Sequence, residues 1–173
     1  MTRRELREHC FKMLFSADFY PTAEEAKAQL EQYLEAPEEE VEDSQGILQI
    51  LHKVDLDPEN AAYLQERAAA IIDKIPELDH AIDQAAAGWK TRRMGKVELT
   101  ILRQALYEMQ LDSAVPEKVA VNEAVELAKK FGGKDSPSFV NGILAKFIHE
   151  ERTAGEEAPE APAGETALEK GQP

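Results

Sequence analysis

Helix start and stop signals, set around apolar residues at helical spacing, leave this chain few folds to choose from. Residues 115–142 read VPEKVAVNEAVELAKKFGGKDSPSFVNG. Pro116 suits a first helical turn, where its missing N–H costs nothing and its φ is already near helical. Val119, Asn122, Glu123, Glu126, Leu127 and Lys130 follow at steps of three or four, interleaved with Val121, Ala124, Val125 and Ala128. The helix therefore carries an apolar stripe flanked by polar residues. Gly132 and Gly133 are expected to stop it in the left-handed cap conformation that glycine adopts at little steric cost. Ser136-Pro137 then restarts a helix, serine as N-cap and proline at the first position.

The same signals organise the rest of the chain. Thr2 and Glu5 make a capping box, and Leu6, Cys10, Met13, Leu14 and Ala17 line one face of the helix that follows. Arg4, Phe11 and Phe15 form another stripe, with Arg3 and Arg7 one turn apart beside it. Pro21 ends this helix, and Thr22 with Glu25 opens a second over 22–35, with Ala26, Leu30, Tyr33 and Leu34 facing inward. The acidic run 35–43 reads as a solvated loop, and 44–54 as a helix with Ile47, Leu48, Ile50 and Leu51 on its apolar side. Asp57-Pro58 starts the next helix, which runs to about residue 75. Pro76 breaks or kinks it, and Leu78, Ile82 and Ala85 continue a shorter helix towards Trp89.

VELTILRQALYEM, residues 97–109, is a helix buried through Leu99, Ile101, Leu102, Ala105, Leu106 and Met109. The last helix is expected from Pro137 to about residue 152, packing through Phe139, Val140, Ile143, Leu144, Phe147 and Ile148. No segment alternates convincingly as a strand. The expected fold is all-α, a compact bundle of about seven helices in two packed subdomains over residues 1–150. Residues 151–173, rich in Ala, Pro, Glu and Gly with no aromatic, form a separate tail expected to be disordered.

Charge at first argues against a nucleic-acid partner, because the formal net charge is −14 and phosphate neutralisation needs a basic surface. The distribution of charge points the other way. Residues 35–43 hold six acidic residues and no basic one, and the tail holds six acidic and two basic, so these segments carry most of the excess. Elsewhere bases gather: Arg3, Arg4, Arg7 and Lys12 against Glu5 and Glu8; five bases against Glu98 over 89–103; four against two acids over 118–134. A field of this sign favours selective, partner-assisted binding over nonspecific binding. One cysteine, Cys10, rules out an intramolecular disulfide framework and fits a reducing compartment. With no signal-peptide pattern and no apolar run long enough to span a bilayer, the expected location is cytoplasmic.

No arrangement of residues supports catalysis. His9 and Cys10 are helix neighbours that point about 100° apart, which disfavours a dyad. His52, His80 and His149 are scattered without metal-ligand spacing, so no metal and no cofactor is expected. Gly132-Gly133-Lys134-Asp135-Ser136 faintly echoes a phosphate loop, but lacks its spacing and follows a helix instead of a strand.

Several ordered motifs are similar to those of the NusB transcription-antitermination factors. They are Val115-Pro116, Lys118-Val119-Ala120, Asn122-Glu123-Ala124, Glu126-Leu127-Ala128-Lys129, Phe131-Gly132, Asp135-Ser136 and Phe139-Val140-Asn141-Gly142. Ile101-Leu102-Arg103 with Ala105-Leu106-Tyr107-Glu108 agrees, as does the arginine cluster before Met13-Leu14-Phe15. The resemblance covers roughly residues 3 to 148.

It implies an RNA-binding adaptor that is not an enzyme. Such an adaptor pairs with the small-subunit ribosomal protein NusE and binds boxA RNA in nascent ribosomal RNA transcripts. It links that RNA to the RNA polymerase elongation complex with other Nus factors. The implied RNA contacts are Arg3, Arg4 and Arg7 to phosphates, Phe15 and Phe131 to bases, Asp135 to a base edge, and Lys130 and Lys134 to the backbone. Lys129 and Lys130 cannot share one direction. Phe15 stands where family members often carry tyrosine, so a hydroxyl contact is lost there while stacking survives.

Each of these readings has a plainer counterpart. The arginines suit a solvated helix face, Phe131 a hydrophobic helix plug, and Asn122, Glu123 and Asp135 capping and interhelix hydrogen bonds. Trp89, Arg92, Arg93 and Lys96 form a basic junction that is either an anchored turn or a partner-binding surface. A protein-binding scaffold with little RNA affinity, or a homodimer that masks the RNA face, fits the sparse arginine cluster too. Fusion of a NusB-like domain to an RNA cytosine methyltransferase would need a Rossmann-like domain and a nucleophilic cysteine, and neither is in the sequence.

Overall fold

The computed structural model describes residues 1–35, 38–42, 44–46, 48–53 and 56–149. Helix α1 (Arg3–Ala17) opens on the expected capping box, with the Thr2 hydroxyl accepting from Glu5 N–H and the Glu5 carboxylate accepting from Thr2 N–H. The single helix expected over 22–35 is two, α2 (Ala23–Ala28) and α3 (Leu30–Glu35), parted at Gln29. The Gln29 side chain turns back to donate to Ala26 O, closing the first piece. Asp57 caps α4 (Pro58–Asp73) by accepting from Asn60 N–H at 2.7 Å. Pro76 falls in the first turn of α5 (Ile75–Ala85), so α4 ends at Lys74, where a new helix can begin with a proline.

Residues 38–53 depart from the all-helical expectation. Two antiparallel strands, β1 (Glu38–Glu42) and β2 (Leu48–Lys53), replace the solvated loop and the helix read there. Gly46, at φ 80°, lies between them. This left-handed conformation reverses a chain easily and disfavours a continuous helix. The register sets Lys53 opposite Glu38 and His52 opposite Glu39, with an irregularity between Glu39 and Glu40. The tail expectation for 151–173 lies outside the described residues.

The packed body is all-α, as expected. α1, α2 and α3 pack on α4, while α6 (Lys96–Leu111), α7 (Glu117–Phe131) and α8 (Ser136–Ala145) pack on one another, with α5 against α6. α1 touches both groups through α4 and α6. One continuous core includes Met13, Leu30, Leu64, Ile71, Ile82, Leu102, Leu106 and Leu144. Each such side chain contributes about 1.5–3 kcal/mol through burial.

α6 is buried around nearly its whole circumference, polar residues included. Arg103 reaches Asp79 (2.7 and 2.8 Å) and Asp18 (2.9 Å), and Glu108 receives Arg7. The body therefore closes on buried ion pairs as well as on leucines.

Three terminal details differ from the sequence reading. α8 ends at Ala145, yet Phe147 and Ile148 still pack on the core from the turn beyond it. Asp135 occupies the N-cap of α8, and Ser136 is the first helical residue. Gly132 ends α7 at φ −98° and ψ −173°, extended backbone open to any residue, so a left-handed cap is not the reason for glycine. Space is. A Cβ there would lie 2.6 Å from Ser136 Cβ and 2.8 Å from Ala128 O.

Candidate nucleic-acid interface

The expected basic face forms where α1 crosses α7. A cleft of about 250 Å³ opens between them, lined in part by Arg4, Arg7, Glu8, Glu123, Lys129 and Lys130. Three of the expected RNA contacts, Arg4, Arg7 and Lys130, thus meet at one site although more than a hundred residues separate them in sequence. Arg3 lies instead on the neighbouring cleft beside Tyr63 and Arg67.

Each of the three cations in the first cleft has an acidic partner. Arg4 makes a two-pronged pair with Glu123, Nε–Oε1 3.0 Å and Nη2–Oε2 2.8 Å. Arg7 donates to both carboxylate oxygens of Glu108 at 2.7 to 3.0 Å, with Glu123 3.8 Å from its other amino group. Lys130 pairs with Glu8 at 2.7 Å, whereas Lys129 turns to Glu126 at 3.4 Å, so the two lysines do face different partners. Exposure separates their roles: the Arg4 and Lys130 side chains are 58% exposed, the Arg7 side chain only 13%. The first two can exchange a carboxylate for a phosphate at the surface. Arg7 is held within the body.

Aromatic rings border the cleft. Phe131 stacks on Phe11 with centroids 4.9 Å apart and planes 26° apart, and the Lys12 and Lys130 ammonium groups lie 5.9 and 5.6 Å from its centroid. Phe11 is buried, whereas Phe131 and Phe15 are half-buried. Phe131 is thus both a plug over the core and an open ring face flanked by cations. The sequence reading placed Phe11 and Lys12 near the site without a role; the four-residue step from Phe11 to Phe15 was the available signal.

Lys134 and Asp135 are exposed in the hinge after α7, and the Asp135 carboxylate makes no capping hydrogen bond. The hinge holds itself together: Gly133 N–H donates to Ser136 Oγ at 2.9 Å, and that hydroxyl donates to Glu98.

The expected partner-binding residues divide into two places. Trp89 is 56% exposed and meets Phe139 edge-on, with centroids 5.6 Å apart, and the exposed Arg92 and Arg93 follow in a short 3-10 turn. Gly88, at φ 83°, makes the bend that presents Trp89. Lys96 belongs elsewhere, paired with Asp18 at 2.6 Å and lying 5.5 Å from the Phe19 centroid.

His9 and Cys10 do not act together. His9 Nδ1 lies 2.7 Å from the Tyr33 hydroxyl, and burial pushes the Cys10 thiol up to about 12. Among the described residues no group of three or more His, Cys, Asp and Glu side chains could hold a metal ion, and no helix is long and apolar enough to cross a membrane.

A helical body with paired surface cations around half-open rings has the make-up of a binding protein for single-stranded nucleic acid. Comparison with known proteins narrows the class. The family model described as "NusB family" matches residues 4–149. A transcription antitermination protein NusB from Lachnoclostridium phytofermentans is 46% identical over 149 residues, covering 86% of this chain and 99% of that protein. One from Agathobacter rectalis is 42% identical over 147 residues, covering 85% and 99%.

Among solved structures, T. maritima NusB superposes with a TM-score of 0.66 at 26% identity, covering 84% of this chain and 89% of that one. A chain from the crystal structure of a plectonemic RNA supercoil gives 0.63 at 20% identity, covering 83% and 91%, a likeness of fold alone. The chain belongs to the NusB family of transcription antitermination proteins.

Proposed function

We propose that the protein binds boxA RNA in nascent ribosomal RNA transcripts together with the ribosomal protein NusE. It couples that RNA to RNA polymerase and the other Nus factors in the cytoplasm. The supporting observation is the α1–α7 cleft, where Arg4, Arg7 and Lys130 converge beside the Phe131 ring.

Arg4 and Lys130 exchange Glu123 and Glu8 for RNA phosphates, while Arg7 fixes α1 against α6 and adds positive potential from within. Phe131 stacks on an unpaired base from its rigid seat on Phe11, and Phe15 adds a second ring. Asp135, its carboxylate not spent on helix capping, accepts from a base edge, with Lys134 on the neighbouring phosphate and Arg3 extending the basic margin. Trp89, Arg92 and Arg93 offer NusE an exposed aromatic and two cations, with Lys96 at the margin of that surface. Binding of RNA and NusE together gains through added contacts and effective concentration.

The internal pairing of Arg4, Arg7 and Lys130 favours one rival, a protein-binding scaffold with little RNA affinity. Fluorescence anisotropy of a labelled boxA-type RNA, with and without NusE, at two salt concentrations and against a scrambled RNA, separates them. Tighter, sequence-selective binding in the presence of NusE is expected. A folded protein that binds NusE but no RNA would leave the scaffold.

A further inference from the structure

Phe19 is the most exposed large apolar side chain among the described residues, with 64% of its surface open to solvent. It is nevertheless held in place. The turn after α1 is closed by Asp18 N–H to Leu14 O (3.1 Å), Phe19 N–H to Ser16 O (3.3 Å) and Tyr20 N–H to Ala17 O (3.1 Å). The Asp18 carboxylate anchors this turn to α6 through Lys96 at 2.6 Å and Arg103 at 2.9 Å. An exposed ring on an anchored turn has no part in the core, yet its orientation is fixed before any partner arrives.

Phe19 also ends a row. Its ring meets Phe15 edge-on at 5.6 Å, Phe15 lies 6.1 Å from Phe11, and Phe11 stacks on Phe131 at 4.9 Å. Ammonium groups flank both ends, Lys12 and Lys130 at Phe131 and Lys96 at Phe19. Rings in a row with cations beside them suit a single strand, because every base has a face to stack and every linkage carries a phosphate. A folded apolar partner would have no use for the lysine at either end.

We propose that this row is one continuous track for single-stranded RNA, with Phe19 stacking on a base beyond those at Phe131 and Phe15, and Lys96 meeting the adjoining phosphate. The inference rests on the RNA-binding reading above and adds a second end to the site. Nucleotides flanking the core recognition sequence then contribute to affinity through stacking, with little regard to base identity.

The test uses the full chain, a short boxA-type RNA and the same RNA extended by about four nucleotides at each end. Wild-type protein is expected to bind the extended RNA more tightly. Phe19→Ala, with unchanged helical content and unfolding midpoint, is expected to match wild type on the short RNA and lose about tenfold on the extended one. Phe19→Trp should restore the difference. A 2-aminopurine placed along the extension should be quenched at one position by wild type and not by Phe19→Ala.

Equal affinity of wild type for both RNAs, or no effect of Phe19→Ala on the extended RNA, overturns the track alone. So does a Phe19→Ala variant that binds extended RNA normally but loses NusE, since Phe19 would then be a protein contact. Wild type that binds neither RNA overturns the RNA-binding reading with it.

Discussion

Arg4 and Glu123 meet side by side, two nitrogens on two oxygens at 3.0 and 2.8 Å, and so join the first helix to the seventh across the cleft. The most exposed cation of the cleft's α1 wall is thus neutralised before RNA arrives. Phosphate must compete with the Glu123 carboxylate. Replacing that carboxylate by its neutral isostere, Glu123→Gln, is expected to tighten RNA binding a few-fold and steepen its salt dependence by about one phosphate contact. Anisotropy titrations over a salt series check this; weaker binding with an unchanged slope would remove Arg4 from the phosphate contacts.

Arg7 should behave differently. Its partner Glu108 has a side chain only 4% exposed, so Arg7→Ala leaves a buried carboxylate unpaired. Loss of about 3–5 kcal/mol is expected, the range for breaking one side of a buried pair. Urea unfolding of Arg7→Ala, Arg4→Ala and the double variant Arg7→Met/Glu108→Leu measures it. Arg4→Ala should leave the midpoint near wild type, and the double variant should recover much of what Arg7→Ala loses. Equal midpoints for the two single variants would refute the division of roles.

Acid should loosen the fold in a defined window. The hydrogen bond from Arg4, and then its charge, holds Glu123 below the usual carboxylate range, and the hydrogen bond from Arg67 does the same for Asp112. Burial pushes Asp18 upward, but hydrogen bonds from Lys96 and Arg103 outweigh it and leave this acid lowered too. Each group releases its proton more readily folded than unfolded. Its stabilisation is complete above the unfolded value of about 4 and is lost as pH falls through the lower folded value. Thermal unfolding from pH 7 to pH 3 should be nearly flat above about pH 5 as far as these groups are concerned, then fall. Asp18→Asn should flatten the acid limb; an unaltered limb would deny Asp18 its share.

Two glycines should respond in opposite ways to alanine. At Gly132 the new Cβ would press against Ser136 Cβ at 2.6 Å and Ala128 O at 2.8 Å, both parts of the hinge. Gly132→Ala is expected to cost about 1–3 kcal/mol, as overpacking does. At Gly142, exposed within α8, a Cβ meets nothing within 4 Å, and Gly142→Ala should gain about 0.5–1 kcal/mol. Chemical unfolding of both variants checks the pair, and equal effects would show that helix propensity alone governs them.

The glycine at 132 also shows how a correct boundary can carry the wrong cause. Sequence placed the end of α7 there through the left-handed preference of glycine, whereas the backbone is extended and the constraint comes from Ser136 on the next helix. The hairpin at 38–53 was missed because its apolar residues fit a helical wheel as well as a strand, leaving Gly46 as the only contrary signal.

The sequence by itself determined the helical body. The caps at Thr2 and Asp57, the proline at 76 and the apolar spacing of α6 are local properties, legible wherever a few neighbouring residues decide a backbone angle or a buried face. Family motifs likewise brought the arginine segment and Phe131 into view. Only the tertiary structure decided how those residues work. It paired Arg4 with Glu123 and Arg7 with Glu108, seated Phe131 on Phe11, and assigned Lys96 to Asp18 and Phe19, away from Trp89. Charge pairing and ring stacking act through space at a few ångströms, and residues far apart in the chain reach that range only after the helices have packed.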